Sequence, residues 1–479
     1  MKLIPIFSWN KGLHSIKLSR VNFMNQPWSA GGVLLACVII AMIIANIPQT
    51  AHIYHSILET KLEICITPPG FDQIVLPENM TVEKFINDIL MVVFFFTVGL
   101  EIKREVVCGE LSSVKKAMLP VIAAAGGMAF PAIFYTIFNS GTLTAGGWGI
   151  PTATDIAFAM GIMSILGNKV PVSLKIFLTA LAIADDLGAI LVVAFFYGGQ
   201  VKAHFLFAAI IILALIWIMN KLGEKRVAYY LIPAIAVWFL FYYSGIHSTM
   251  SGVVMAFMIP MDARYSHKYL DRSNLKYLKR LVKYNEIEYA HGESFPNGMQ
   301  RHCLRRMSHI TNNSMGMSYR LEHLLTPWVN FGIMPIFALA NAGVEIPDAS
   351  FFNIFQQLPI EGVGYVSLGK FLGLLLGKPI GITLASFVAI KLKVGAMPEG
   401  ASWKMLFAVA CLGGIGFTMA IFVDTLSFGE FAPEHTETLR SAGKIAVLLG
   451  SLSAGILGSI LISIIHKIES KDTPASNNS

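Results

Sequence analysis

Charged residues are scarce in this chain. Only 14% of its 479 residues are Asp, Glu, Lys or Arg, whereas 55% are hydrophobic. A soluble domain carries roughly a quarter charged residues, so this composition excludes a soluble globular protein and predicts an all-α polytopic membrane protein. The net charge of +7 is then expected to reside in basic loops on one membrane face. No nucleic-acid partner is expected.

Cysteine patterns that would indicate a disulfide framework or a metal centre are also missing. The five cysteines are scattered and form neither a CxxC pair nor a metal-ligand spacing, so no cofactor is predicted. The basic N-terminus lacks a short apolar core followed by a small-residue cleavage site. Residues 1–27 are therefore expected to remain as a cytoplasmic arm.

Apolar segments of bilayer-spanning length are abundant instead. We count twelve, and Lys and Arg concentrate in every second loop between them. The excess of positive charge in cytoplasmic loops then places both termini in the cytoplasm and predicts a multi-pass membrane protein. The predicted spans cover about 28–47, 85–100, 117–138, 149–166, 172–198, 204–219, 228–243, 246–260, 326–343, 363–390, 405–427 and 439–466.

Two connecting loops are long. Residues 48–84 face outward, and two short apolar runs flanking TPPGFD predict a small periplasmic β-hairpin. Residues 261–325 form a basic cytoplasmic loop. Its first part is either a surface helix that touches anionic lipid or a solvated, partly disordered insertion. Residues 467–479 are expected to be a disordered cytoplasmic tail.

Two adjacent acids, Asp185 and Asp186, lie inside the fifth apolar segment. An ionised carboxylate at mid-membrane costs on the order of 3 kcal/mol or more, so a pair of them indicates a function. Neighbouring like charges also separate in proton affinity. A buried carboxylate pair that exchanges a proton for a cation is the core of a proton-coupled ion transporter.

Glycine and proline interrupt two of the predicted spans. Span four carries Pro151, Thr152 and Thr154 just before Asp155, and span eleven carries three glycines at 413–416. Interrupted spans in both halves of a chain predict an inverted-repeat transporter with crossing broken helices. Asp155 could then compensate the positive ends of the half-helices. The alternative is that these glycines only permit close helix packing.

One lysine, Lys378, lies deep inside span ten. Near a helix end it would extend to the interface, but a lysine at this depth more often pairs with a carboxylate. Asp155, Asp185 and Asp186 are the possible partners. We favour Asp185, which would leave Asp186 freer to bind a cation.

Titratable residues at the membrane edges are candidates for a pH response. His247, at the outer edge between spans seven and eight, has a side chain suited to pH sensing, or it is only structural. Charged residues where spans two and nine meet the cytoplasm form a coupled network, or they are ordinary solvated helix ends. These residues are Glu101, Lys103, Arg104, Glu105, Arg320, Glu322 and His323.

The same segments resemble the NhaA family of bacterial sodium/proton antiporters, in order and over nearly all the apolar chain. The stretches that carry the resemblance are VGLEIKRE, IPTATDIAFAMGI, KIFLTALAIADDLGAI, SGIHSTMSGV, RLEHLLTPW, FALANAGV, LLGKPIGI, MPEG and GGIGFTMAIF.

The resemblance implies twelve helices in inverted repeats, with spans four and eleven broken, and a dimer in the bacterial inner membrane that is held partly by the outward hairpin. It also implies exchange of Na+ or Li+ for H+, with two protons per sodium. By position, Asp185 and Asp186 resemble the binding pair, Asp155 the acid that balances the helix ends, and Lys378 the partner of Asp185. Thr154 is a possible oxygen ligand. Residues that resemble pH-response or cytoplasmic-funnel positions are Glu101, Arg104, Glu105, His247, Glu322 and Asp88.

The sequence departs from this pattern in two places. The 261–319 loop is much longer than the expected linker, and Thr326 stands where a second histidine can occur. The set-point of the pH response is therefore expected to differ, and the loop is expected to have a role of its own.

Three rival functions fit parts of the sequence. An intramembrane aspartyl protease needs two facing aspartates on different helices, which Asp155 and Asp186 could supply on paper. A non-transporting sensor would use the 261–325 loop as its output. A channel would pass ions far faster than alternating access allows. Competition of Na+ and H+ for one site by alternating access remains the favoured hypothesis, so the chain is interpreted as a secondary transporter and not as an enzyme.

Overall fold

A computed structural model describes residues 27–62, 64–66, 74–76, 80–199, 201–263, 267–288, 298–346, 353–355, 357–358, 360, 362–428 and 436–472. The chain divides into two compact units. The first unit comprises Met1–Thr60, Met118–Ala189 and Asn330–Ser479, and the second comprises Lys61–Ala117 and Ile190–Val329. The predicted N-terminal arm, apart from residue 27, lies outside the described residues.

Helices account for nearly all the regular structure. In chain order they are α1 (Pro27–Asn46), α2 (Pro48–Glu59), α3 (Val82–Phe85), α4 (Met91–Cys108), α5 (Val114–Asn139), α6 (Ile156–Leu166), α7 (Val172–Phe196), α8 (Ala203–Lys221), α9 (Ala228–Ser244), α10 (Met250–Met258), α11 (His267–Glu288), α12 (Gly298–Ser314), α13 (Met317–Trp328), α14 (Met334–Asn341), α15 (Val366–Leu372), α16 (Lys378–Lys391), α17 (Trp403–Gly413), α18 (Phe417–Ser427) and α19 (Thr436–Asp472).

Single π-helical turns join three pairs of these helices into longer spans. They cover Ile86–Leu90, Val329–Ile333 and Gly373–Gly377. Short 3₁₀ helices cover Glu110–Ser112, Ala145–Thr152 and Gly167–Lys169. Insertions of the π type are often found at functional sites, and the third of them directly precedes Lys378.

Nine helices within the described residues are long and apolar enough to cross a membrane, and the bent pair α17 and α18 makes a tenth. The protein is therefore a multi-pass membrane protein. Helix α9 has 17 residues and α10 has 9, so both are shorter than these candidate spans. The predicted number of twelve spans, and their arrangement as inverted repeats, stay predictions.

Large apolar side chains lie exposed along the spans, which is the pattern that lipid contact requires. Ile43 on α1, Phe207 on α8 and Ile232 on α9 are each more than half exposed. In water such surfaces would drive aggregation, whereas lipid tails solvate them. The cost of leaving these side chains uncovered therefore disappears in a bilayer.

Two short strands occur in the second unit. Ile64–Ile66 (β1) pairs antiparallel with Ile74–Leu76 (β2), with Cys65 opposite Val75. Residues 67–73, which include the predicted TPPGFD turn, lie outside the described residues. The hairpin as a whole, and its role in a dimer, therefore stay predictions.

The basic loop and the C-terminal segment both contain helix. The described part of the 261–325 loop forms α11, α12 and the start of α13, so its first part is a helix, as one of the two alternatives expects, and its contact with lipid stays a prediction. Helix α19 continues to Asp472, past the predicted end at 466, because Lys and Glu in this stretch are good helix formers. Residues 473–479 lie outside the described residues.

Candidate functional site

Span four is broken immediately before its acid. The 3₁₀ helix ends at Thr152, the backbone is extended at Ala153, and α6 begins after Asp155. Pro151 has no N–H to donate and disfavours a continuous α-helix through this point. The predicted break in span four is confirmed.

Span eleven is broken at its glycine-rich segment, residues 413–416. Helix α17 ends at Gly413, α18 begins at Phe417, and their axes differ by 48°. A Cβ atom on Gly414 would lie only 2.4 Å from the carbonyl oxygen of Leu374. Glycine is therefore required for this close approach, so the glycine run has a packing role as well as a role in the break.

The two breaks meet in the first unit. The backbone N–H of Asp155 donates to the carbonyl oxygen of Ile415 at 2.7 Å. The hydroxyl of Thr154 lies 2.9 Å from the carbonyl oxygen of Gly413. Backbone groups that have left their own helices therefore bond each other across the two breaks, as burial in a membrane requires.

The carboxylate of Asp155 joins the starts of two half-helices. One oxygen accepts from the N–H of Phe158 at 3.1 Å, in α6. The other accepts from the N–H of Thr418 at 3.2 Å, in α18, and from the Thr418 hydroxyl. A buried negative charge at two helix N-termini is electrostatically favourable. Both oxygens of Asp155 are therefore bonded at the starts of the half-helices, where the sequence analysis expects this acid to lie.

Asp185 lies at the centre of a buried polar cluster. Its Oδ2 accepts from Lys378 Nζ at 2.5 Å and lies 2.5 Å from the Thr154 hydroxyl. Lys378 also donates to Thr154. Thr154 has one hydroxyl proton, so it donates either to Asp185 or to the Gly413 carbonyl. Lys378 therefore has the partner that the sequence analysis favours.

Asp186 is the next residue on α7 and is only 2% exposed. Successive helical side chains point about 100° apart, so the two carboxylates leave the helix in different directions. Asp186 is nevertheless close enough to Lys378 to attract its ammonium group electrostatically. One buried cation thus faces two adjacent acids, and the cluster carries an excess of negative charge when both are ionised.

The atoms of this cluster that could bind a cation are all oxygens. Asp185 Oδ1 is buried and has no hydrogen-bond partner among the described residues, and the broken helices contribute carbonyl groups beside it. No group of three or more His, Cys, Asp or Glu that could hold a metal occurs in the described part of the chain. A cation bound here would therefore use hydroxyl and backbone oxygens together with carboxylates, as hard cations prefer.

The second unit contains the charge network predicted at the membrane edge. Arg104 lies 2.9 Å from Glu322, 2.6 Å from Glu105 and 3.9 Å from Glu101. These contacts agree with the charge network, one of the two alternatives given for these four residues. Other members of the predicted cluster bond elsewhere: Lys103 donates to the carbonyl oxygens of Phe257 and Ile259, and Arg320 to Asn312 and Asn313.

Asp88 and His247 both lie in this second unit. Ser248, the residue after His247, donates its hydroxyl to Asp88 Oδ1 at 3.0 Å, and His247 Nδ1 bonds the Thr249 hydroxyl at 2.7 Å. Thr326, which replaces an expected histidine, donates its hydroxyl to the carbonyl oxygen of Glu322 at 2.7 Å. No aspect of this geometry assigns a pH response to these residues, which stays a prediction.

Sequence reasoning missed a second buried ion pair. Lys370 on α15 bonds Asp424 on α18, and both side chains are fully buried. The ammonium group of Lys370 also lies 4.8 Å from the centre of the Phe428 ring. The rule that drew attention to Lys378, a charge inside an apolar span, applies equally to these two residues. Thr418 was also missed, because a hydroxyl in an apolar span gives no comparable signal.

Comparison with known proteins gives one consistent result. The family model described as Na+/H+ antiporter 1 matches residues 21–462. A protein named Na(+)/H(+) antiporter NhaA from Oleidesulfovibrio alaskensis is 40% identical over 91% of this chain and 92% of its own length. Relatives with the same name from Helicobacter pylori and Escherichia coli are each 38% identical, over 95% and 91% of this chain and 97% and 95% of their own. A transporter family thus matches almost the whole chain, including both broken spans and the buried aspartates, and the chain belongs to the Na+/H+ antiporter 1 family.

Proposed function

We propose that this protein is a secondary active transporter that exchanges cytoplasmic Na+ or Li+ for external H+. The observation that carries the proposal is the buried cluster of Asp185, Asp186, Thr154 and Lys378 beside two crossing breaks. Such a cluster offers oxygen ligands to a hard cation. The family to which the protein belongs, and the names of its relatives, support exchange of the same pair of ions.

Coupling follows from competition at the two carboxylates. A protonated carboxyl has lost the charge that attracts a cation, so Asp186 and Asp185 hold either protons or sodium. Facing outward they take up protons, and facing inward they release them and bind Na+ together with Thr154 and carbonyl oxygens of the breaks. The change between these two states is alternating access.

Lys378 sets the relation between the two acids. Its bond to Asp185 Oδ2 neutralises one carboxylate and leaves Asp186 as the more available ligand. When Na+ approaches Asp185, the cation and the ammonium group repel each other. Sodium binding is therefore expected to displace Lys378 from Asp185, and a Lys378 that then loses its proton would supply one of the exchanged protons.

Two protons per sodium, the ratio that the family resemblance implies, would make the exchange electrogenic. One net positive charge then moves inward in each cycle. That movement gains roughly 2.3 kcal/mol per 100 mV of membrane potential. The membrane potential itself would therefore drive sodium out of the cell, as sodium and pH homeostasis require.

Regulation by pH is assigned to the second unit. Arg104 lies within ion-pair distance of three acids, Glu101, Glu105 and Glu322. Protonation of any one of these acids therefore changes the proton affinity of the other two. His247 is the second candidate sensor, and Asp88 is placed at the cytoplasmic funnel. The test compares the pH profile of ion exchange in the wild type, Arg104→Gln and His247→Ala. Identical profiles would exclude Arg104 and His247 from the regulation.

The cellular setting follows from the loop charges and the resemblance. We place the protein in the bacterial inner membrane with both termini in the cytoplasm, in contact with membrane lipids. The outward β1–β2 pair is the proposed dimer contact. Chemical crosslinking of the purified protein that gives only monomer would contradict the dimer, and protease accessibility of either terminus from the periplasm would contradict the orientation.

The direct test is sodium-dependent ΔpH in proteoliposomes. Asp186→Asn removes the charge without changing the size of the side chain, so exchange should fall to the background of empty vesicles. Asp271→Asn is the matched control, because Asp271 is exposed on α11, outside the membrane spans, and exchange should continue. Full exchange in Asp186→Asn would refute the assignment of the site.

A further inference from the structure

Helices α11 and α12 take no part in the proposed exchange, yet they form a defined structure within the second unit. Leu270, Tyr277 and Leu281 are half-buried and share one face of α11 with Asn274, by helical spacing. Asn274 donates to the Thr311 hydroxyl of α12 at 3.4 Å. This face of α11 therefore packs against α12.

A second apolar face of α11 is left uncovered. Leu275, Leu278 and Val282 are 55%, 45% and 50% exposed. Their spacing of three and four residues aligns them in one stripe. No described residue covers this stripe, so it is available to an external surface.

Basic residues border the stripe along its length. Arg272, Lys276 and Lys279 are all exposed, and their spacing places them side by side next to Leu275 and Leu278. Asp271, in the second turn, is the one exposed acid among the described side chains of α11. Apolar residues beside Lys and Arg on a helix surface are typical of helices that lie in the headgroup layer of a bilayer.

The base of the helix pair is fixed at the edge of a membrane span. Two residues separate the end of α12 at Ser314 from the start of the span Met317–Asn341. A Cβ on Gly316 would lie 1.9 Å from the carbonyl oxygen of Met261, and Ser318 donates its backbone N–H to Pro260 at 3.2 Å. The chain therefore enters α11 and leaves α12 at one point, at the end of a membrane span.

We propose that this face of α11 is a docking surface for anionic phospholipid headgroups. The α11 lipid face consists of Arg272, Leu275, Lys276, Leu278, Lys279 and Val282. Its apolar stripe would enter the headgroup layer while its basic residues bind lipid phosphates, and the bilayer that holds span Met317–Asn341 supplies the lipid at close range. A second copy of the chain is a poor occupant, because two identical basic faces repel each other.

The proposal rests on membrane insertion alone, so its test does not depend on ion exchange. The full-length protein is placed as single copies in nanodiscs of phosphatidylcholine, or of phosphatidylcholine mixed with anionic phosphatidylglycerol. Amide hydrogen exchange of the 267–282 peptides is then measured. We expect slower exchange in the anionic discs, and the difference should disappear in high salt, which screens surface charges.

Two matched variants separate the α11 lipid face from total charge. Each Lys or Arg near an anionic surface changes binding by about fivefold, so Lys276→Gln with Lys279→Gln should weaken docking about 25-fold. Arg301→Gln with Arg305→Gln removes the same charge from α12. These arginines are exposed opposite the buried residues Cys303 and Ile310, so this variant should keep the protection. Leu278→Gln should reduce it without a change of charge.

Three results would overturn the proposal. Equal amide hydrogen exchange of the 267–282 peptides in neutral and anionic discs would mean that the α11 lipid face is covered by protein or by nothing. Protection that survives Lys276→Gln with Lys279→Gln would exclude these lysines. Equal loss in the α12 variant would show that net charge alone matters and that α11 presents no particular surface.

Discussion

At the scale of single residues, the site depends on how a membrane interior treats hydroxyl and carboxyl groups. Thr154 is fully buried and contacts Asp185, Lys378 and Gly413. An unpaired polar group in this setting costs several kcal/mol, so the geometry of these contacts is fixed. The proposed sodium ligands are therefore held in place before the cation arrives.

Replacing Thr154 tests its part as a ligand. Thr154→Val keeps the shape of the side chain but loses the hydroxyl, and the lost interaction should weaken apparent Na+ affinity by about 1.5 kcal/mol or more, roughly tenfold. Thr154→Ser keeps the hydroxyl and should stay close to wild type. Both are measured by the sodium concentration that gives half-maximal ΔpH, and equal values would exclude the hydroxyl as a ligand.

The second buried pair, Lys370 and Asp424, makes a different prediction at this scale. Removing one partner leaves an isolated charge in the protein interior, at a cost of about 3–5 kcal/mol. Lys370→Met or Asp424→Leu alone should therefore lower the unfolding temperature of the detergent-purified protein strongly. The double variant removes both charges and should recover much of the loss. A double variant as unstable as the sum of the singles would contradict this account.

At the scale of elements, the site exists because two helices are interrupted at the same place. Pro151 and the glycines at 413–416 favour the breaks, and Asp155 bonds the freed N–H groups of α6 and α18. A positive charge of about half an elementary charge at each helix N-terminus would otherwise lie uncompensated in the membrane. The breaks and their acid therefore form one structural unit.

Gly414 offers a test of how closely the broken span eleven must pack against span ten. Alanine there would place its Cβ 2.4 Å from the Leu374 carbonyl oxygen, so Gly414→Ala should push the break in span eleven away from span ten and abolish exchange. Gly332→Ala is the control, because nothing lies within 4 Å of a Cβ at that position. Exchange in proteoliposomes should therefore fall in the first variant and persist in the second. Normal exchange in Gly414→Ala would show that this close approach of span eleven to span ten is not needed.

Much of this element-scale structure could be predicted from sequence, because glycine, proline and buried charge leave strong signals. The breaks, the acid between them and the partner of Lys378 were all accessible in this way. The helices α11 and α12 were less predictable, because the composition of a polar, basic segment is compatible with both a surface helix and a disordered loop. The pair Lys370–Asp424 could have been found, since each residue is a charge in an apolar span. The contacts of Thr418 required coordinates.

At the scale of the whole molecule, the proposal is that sodium and protons compete for one buried group of oxygens. No separate step is then needed to couple the two fluxes, because the site cannot carry both ions together. The exchange ratio follows from how many protons leave as one sodium enters. Apparent sodium affinity should also rise with pH, because fewer protons then occupy the carboxylates.

The most direct measurement is proton release from the purified protein on addition of Na+, in weakly buffered detergent solution. The account predicts that protons appear in proportion to bound sodium at a pH where the carboxylates are partly protonated. It also predicts that release disappears in Asp186→Asn, whereas Asp271→Asn behaves as wild type. Sodium binding that is independent of pH and releases no protons would contradict the central claim.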